Sequence, residues 1–343
     1  MVQKFYPNIS ILFVIALFFS SCSSEKSYEV DISDVEHHIV VYRLDKALFD
    51  ADTSKMKTVN QKLISDLGEL YDFYVAQMVQ SGSVFDPAVH LYLNRFVSDT
   101  VMQMVVDHID QKFGNFSEIK NSTDSVFRHF KYYFPNDPFP DTLVVYNSVF
   151  TNGVISTESQ IGLGAEMYLG PDNKVVQKLP GESFPAYFKN KMDRQFMIRD
   201  IAESWLTTHY ITRSKEEDFL SYLIYHGKIQ YALNCLLPQC SDPIKMRYFK
   251  KEWEWCEENE AQIWKYLVDQ KWIYTKKFKV IRNFFNDAPF TAGLPEGASP
   301  KAGVYLGKKI VEDFMEENPD MKLPELIKMD NNRKILKSYH PKE

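Results

Sequence analysis

The chain has 343 residues, of which 45% are hydrophobic, 15% aromatic and 25% charged, with a formal charge of −6. That much apolar side chain can bury a sizeable core, and the length permits one large domain or two small ones. A mildly acidic balance argues against a surface that binds nucleic acid or anionic lipid.

The first element in chain order is a targeting segment. Lys4 gives it a positive start, residues 9–19 are apolar apart from Ser10, and Phe19-Ser20-Ser21-Cys22 ends the run on two small residues and a cysteine. The run is shorter than the roughly 20 apolar residues that a membrane helix needs. Small residues suit a signal peptidase, and the Cys22 thiol is the nucleophile that accepts diacylglycerol. Residues 1–21 are therefore read as a lipoprotein signal peptide and 22–35 as the lipidated cysteine and a tether. Residues 36–343 are read as one folded domain, held to a membrane of the cell envelope by the acyl groups. An ordinary cleaved signal with a chance cysteine is the plainer alternative. Loss of residues 1–21 removes one Lys and no acid, moving the formal charge from −6 to −7. No later segment approaches membrane length.

Beyond the tether, His38-Ile39-Val40-Val41-Tyr42 is strand-like, and residues 54–113 are mainly helical in pattern. Pro135, Pro138 and Pro140 end helical structure. Thr142-Leu143-Val144-Val145-Tyr146 and Gly153-Val154-Ile155-Ser156-Thr157 are β-branched runs bounded by turn residues. Residues 160–169 are a third strand candidate, closed by the turn Gly170-Pro171-Asp172-Asn173. Helices then return. Ile198, Ile201, Ala202, Trp205 and Leu206 recur at i, i+3, i+4, i+7 and i+8, one apolar face. Ser214 and Glu217 form a capping box for a helix over 215–236, stopped by Pro238. Trp253, Cys256, Glu260, Trp264, Leu267 and Val268 predict another helix, whose aromatic stripe reads as core packing. Gly303-Val304-Tyr305-Leu306-Gly307 precedes a helix over 308–318 that Pro319 halts. The pattern predicts an α+β protein, mainly α-helical with a small central sheet. Besides Cys22 the cysteines are Cys235, Cys240 and Cys256. One bridge, such as Cys235 to Cys240, and a set of buried thiols are both open.

Most catalytic signatures are absent. The zinc-peptidase motif H-E-x-x-H places two imidazoles one helical turn apart, with a Glu to deprotonate the metal-bound water. No two of the eight histidines, at 37, 38, 90, 108, 129, 209, 226 and 340, have that spacing. His37 and His38 are adjacent, so on a strand they point to opposite faces. Gly162-Leu163-Gly164 invites a dinucleotide reading, but Met167 stands at the third glycine position and no βαβ unit surrounds it. There is no P-loop and no Gly-x-Ser-x-Gly elbow. The polar side of the Ile198 helix carries Arg199 and Glu203 at i, i+4, with Asp200 on a neighbouring row. This is either a solvated ion pair or a site lined with carboxylates.

Several segments together resemble a known family, the gliding-motility-associated lipoproteins of the GldB type in Bacteroidetes. They are Arg43-Leu44-Asp45-Lys46 with Leu48-Phe49, residues 161–170 (IGLGAEMYLG), Tyr225-His226-Gly227-Lys228-Ile229-Gln230-Tyr231, Leu236-Leu237-Pro238, Asn259-Glu260 with Ile263-Trp264, Pro289-Phe290-Thr291, and Ser299-Pro300 followed by residues 303–311 (GVYLGKKIV). The resemblance implies an envelope lipoprotein of the outer membrane, working with the gliding and type IX secretion machinery through other envelope proteins. The family is similar in turn to predicted zinc peptidases of gluzincin-like fold, and this implies a degenerate metallopeptidase scaffold. Where those relatives carry H-E-x-x-H, this chain reads Asp200-Ile201-Ala202-Glu203-Ser204. Ile201 cannot take a proton from water and Ser204 is a poor zinc ligand. The expectation is a vestigial site at Asp200, Glu203 and His226, with no catalytic residue, metal or cofactor. The alternative is a divergent metal-dependent hydrolase that uses those three side chains.

Overall fold

The structure is a computed structural model that describes residues 28–342. The expected signal peptide, Cys22 and the polar residues 23–27 lie outside the described residues. From Tyr28 onward the segment read as tether lies against the body: the Tyr28 ring meets Tyr231 edge-on at 5.6 Å, and Arg128 Nε donates to the Val35 carbonyl at 2.7 Å.

Four short strands form one sheet in the order β1-β2-β4-β3, comprising β1 (Val40–Arg43), β2 (Thr142–Tyr146), β3 (Val154–Ser156) and β4 (Gln160–Gly164). β1 and β4 flank β2 in parallel, with Val40 opposite Thr142 and Thr142 opposite Gln160. β3 turns back antiparallel on β4 and forms one edge of the sheet. β2 is apolar on both faces because both are covered. Leu143 and Val145 enter the larger core, whereas Val144 and Tyr146 enter a second one. The second core is built by α1 (Leu44–Phe49), α2 (Met56–Phe73) and α3 (Val89–Val97). On the other face lie α4 (Thr100–Phe113), α5 (Ser117–Tyr133) and, after two short helices α6 (Lys174–Lys178) and α7 (Ala186–Lys189), the long α8 (Met197–His209) and α9 (Phe219–Leu236).

The predicted mainly helical α+β arrangement is the one observed, with boundaries that shift for physical reasons. The 215–236 helix starts later, as α9, because Asp218 rather than Ser214 caps it, accepting from Ser221 N at 2.8 Å. After α10 (Asp242–Lys245), the single helix expected from Trp253 to Val268 is two, α11 (Lys250–Glu258) and α12 (Glu260–Asp269), with a non-helical break at Asn259. Leu267 and Cys256 are buried, but Val268 is exposed. α13 (Phe278–Phe285) leads to α14 (Ala302–Glu317), which absorbs the Gly303–Gly307 run expected to precede it, and α15 (Leu323–Lys328) and α16 (Asn332–Leu336) close the chain. The glycines belong inside α14 because it crosses α9 at backbone contact: a Cβ on Gly227 would overlap the Gly307 carbonyl, and one on Gly307 would overlap that of Leu223. α9 is buried nearly all round, as a central helix must be. No disulfide links Cys235, Cys240 and Cys256; Cys235 and Cys256 are buried. No described helix is long and apolar enough to cross a membrane.

Candidate functional site

A cavity of about 630 Å³ opens between the β3 edge, α8 and α9, within the roughly 300–1,000 Å³ of ordinary ligand pockets. Each wall has a local cause. α8 lies along β3 because Ile201, Ala202, Trp205 and Leu206 bury one face in the larger core. That leaves Arg199, Asp200, Glu203, Ser204 and Thr207 toward the strand and the cavity. The Ser156 and Ser204 hydroxyls hydrogen-bond at 2.9 Å, and His209 Nε2 donates to the Thr157 carbonyl at 3.0 Å, so strand and helix are pinned at two points. α9 contributes Tyr225, His226 and Gln230.

The loop leading into β3 is held by Glu166, which is fully buried in the turn after β4. Its Oε1 accepts from Ser148 N at 2.8 Å, Phe150 N at 3.0 Å and the Ser148 hydroxyl. These bonds fix Val149 and Phe150 at φ +56° and +57°, a left-handed conformation that costs on the order of 1–3 kcal/mol at a non-glycine residue. The loop then delivers Thr151, Asn152 and Gly153 to the cavity wall. Burial pushes the Glu166 carboxyl up to about 7, against the opposing pull of its donors.

Asp200, Glu203 and His226, the three expected site residues, all line this one cavity. They do not gather around a common point: among the described residues, no group of three or more His, Cys, Asp or Glu is placed to hold a metal ion. Asp200 is instead occupied by protein donors. Oδ1 accepts from Arg199 Nη1 at 2.7 Å, and Oδ2 accepts from the Tyr168 hydroxyl at 2.8 Å and from Arg247. Arg199 also pairs with Glu203, so this i, i+4 pair is not the solvated one that the sequence allowed, since the Arg199 side chain is only 4% exposed. Burial works against the guanidinium charge, but Glu203 and Asp200 more than offset it and keep Arg199 protonated. His226 stacks on Phe285 with ring centroids 5.1 Å apart and planes 10° apart. Burial, then the charges of Lys301 and Arg213, lowers its imidazole to about 3.

Sequence reasoning missed the cations opposite. Lys191, Arg247 and Lys301 line the cavity from three separated turns. Lys191 pairs with Glu252 at 3.0 Å and Lys301 with Asp287 at 3.0 Å, while Arg247 Nη2 donates to the Lys191 carbonyl at 2.8 Å. Arg247 and Lys301 have φ +54° and +51°, and no composition or spacing signal marks such turns. Tyr168 and Glu166 sat inside the segment that carries the family resemblance, which was the one available pointer to them.

The arrangement is a cleft with charged walls at the β3 side of the sheet. Comparison with curated proteins and with solved structures returned no match. The sequence model of a family described as gliding motility protein GldB, however, matches residues 25–341. The matched span runs from the N-terminal segment to the last helix and takes in every wall of the cavity. The chain therefore belongs to the GldB family of gliding-motility lipoproteins.

Proposed function

We propose that this protein is a non-catalytic lipoprotein of the outer membrane, anchored through acylated Cys22, that supports gliding and type IX secretion by holding another envelope protein in the α8/α9 cleft. Residues 1–21 are its signal peptide, and residues 36–343 form a single domain on a degenerate, gluzincin-like peptidase scaffold. Support for that scaffold comes from a helix packed under an antiparallel edge strand, with a cleft between them, at the place where a zinc peptidase would carry its metal-binding helix.

The observation that carries the non-catalytic reading is the ion network at Asp200. Both carboxylate oxygens are engaged by Arg199, Arg247 and Tyr168, so a metal ion would have to displace two guanidinium groups held in a low-dielectric site. Ile201, at the position of the general base, is wholly buried. The hydrolase alternative draws on the shared cavity of Asp200, Glu203 and His226, but it would require Asp200 and Glu203 to abandon their present partners. In a gliding host, deletion of the gene should abolish colony spreading, and the wild-type chain should restore it. An Arg247→Glu variant that reaches the membrane and melts normally should fail to restore it. Full rescue by that variant would sink the role of the cleft, and normal spreading of the deletion strain would sink the motility role.

A further inference from the structure

Every Lys, Arg, Asp and Glu that lines the cavity already holds an opposite charge. Arg199 pairs with Asp200 and Glu203, Arg247 with Asp200, Lys301 with Asp287 at 3.0 Å and Lys191 with Glu252 at 3.0 Å. An ionic ligand would have to break one of these pairs in a poorly solvated site, so the lining is matched to neither an anion nor a cation. The β3 edge is bridged as well, since Ser204 and His209 of α8 bond Ser156 and the Thr157 carbonyl.

The groups left over are uncharged or leave an atom unpaired. Gln230 is 3% exposed and its Oε1 receives no donor, and the buried Arg199 Nε donates to nothing. Buried polar atoms without partners are rare in folded proteins and call for an explanation. His226 lies one turn before Gln230 on the same face of α9. Burial, with the charges of Lys301 and Arg213, keeps its imidazole neutral, so it carries one donor and one acceptor. Aromatic rings complete the wall: Tyr187 and Phe188 from α7, Tyr225 from α9 and Phe285 from α13.

A ligand matched to this lining carries no charge, donates and accepts at several points, and has an apolar face to set against the rings. A sugar combines the three, because each hydroxyl is donor and acceptor at once and the C–H face of the ring is apolar. We infer that the cleft recognises an uncharged saccharide chain, which packs a ring face on the aromatic wall and hydrogen-bonds the Gln230 amide and the His226 imidazole. This assignment rests on the reading that the cleft holds an envelope protein, and it names the group that is held, a glycan borne by that protein.

The test is a fluorescence-polarisation titration of the detergent-solubilised full-length protein. The probes are glycans of the host's own envelope, released separately from its protein and lipid fractions, labelled at the reducing end and split by anion exchange into neutral and acidic pools. The neutral protein-derived pool should bind, at least tenfold more tightly than the acidic one. Gln230→Leu removes an amide whose Oε1 has no partner in the protein, so the melting temperature should hold or rise, whereas affinity for the neutral pool should fall at least tenfold. Unchanged affinity in that variant would overturn the site, and acidic glycans binding as tightly as neutral ones would overturn the uncharged ligand. Binding of the lipid-derived pool alone would overturn the link to an envelope protein. No binding of any pool to protein that melts cooperatively would overturn the saccharide assignment, while the cleft's role in spreading would still stand or fall with the Arg247→Glu rescue.

Discussion

At the scale of single residues, the cleft is defined by charges that the fold has already paired. Asp200 is 9% exposed and accepts from three side chains, so removing its charge leaves two guanidinium groups under-compensated. Breaking a buried pair by removing one partner costs about 3–5 kcal/mol. Asp200→Asn should therefore lower the melting temperature by several degrees, whereas Glu203→Gln, whose partner Arg199 retains Asp200, should cost less. Chemical denaturation of both variants checks the order, and a larger loss for Glu203→Gln would contradict it. Glu166 makes a separate prediction. Its carboxyl is raised from 4.5 to about 7 by burial, so the folded state holds the proton more tightly than the unfolded chain does. The resulting stabilisation is full below about pH 4.5 and is lost as pH rises through about 7. Glu166→Gln mimics the protonated acid, so its stability relative to wild type should improve from pH 5 to pH 8; a pH-independent difference would refute the assignment.

Asp200, Glu203 and His226 were legible in the sequence because one helical period and one family segment place them. Lys191, Arg247 and Lys301 were not, because each is delivered by an irregular turn. Their convergence depends on how α8, α9 and α14 pack rather than on local pattern. The Arg199–Glu203 spacing was visible, but its burial was not: i, i+4 geometry says that two charges meet and says nothing of what covers them.

At the scale of elements, the α9–α14 crossing fixes the back of the cleft, since His226 and Gln230 flank Gly227, and Lys301 and Val304 precede Gly307. The sequence placed Gly303 to Gly307 ahead of the helix because glycine is a poor helix former. Contact between the two backbones overrides that cost here. Gly227→Ala and Gly307→Ala each put a methyl group into an opposing carbonyl. Overpacking of this kind costs about 1–3 kcal/mol, and the shift should also weaken the role proposed for the cleft. Melting curves measure the first effect and rescue of colony spreading the second. A Gly227→Ala protein as stable as wild type would mean that the helices can separate without cost. The strand elements were read more easily, because β2 is a continuous apolar run between two cores, and only a strand covered on both faces looks like that. The break at Asn259 was not legible, since the aromatic stripe continues across it.

At the scale of the whole molecule, the sheet divides a smaller core from a larger one, and the cleft lies at the sheet's β3 edge. The chain from Tyr28 onward is fastened to the body through Tyr231 and Arg128. Only residues 23–27 separate the proposed acyl anchor from that fastening, and five to six residues span at most roughly 20 Å. The body should therefore sit close to its membrane. Cys22→Ser should move the protein from the membrane fraction to the periplasmic fraction and abolish spreading, while a variant with 20 Gly/Ser residues inserted after Ser24 should stay membrane-bound. Loss of acylation without any change in fractionation would contradict a lipid anchor at Cys22.

The most direct test of the central claim, that protein cations have taken the place of a catalytic metal, is the transition-metal content of the full-length protein. The protein would be purified without chelators or a metal-binding tag, incubated with zinc and desalted. Far less than one zinc per chain is expected, with no change on substituting Asp200, Glu203 or His226. Near-stoichiometric zinc that is lost in Asp200→Asn, Glu203→Gln and His226→Ala alike would contradict it and restore the hydrolase reading.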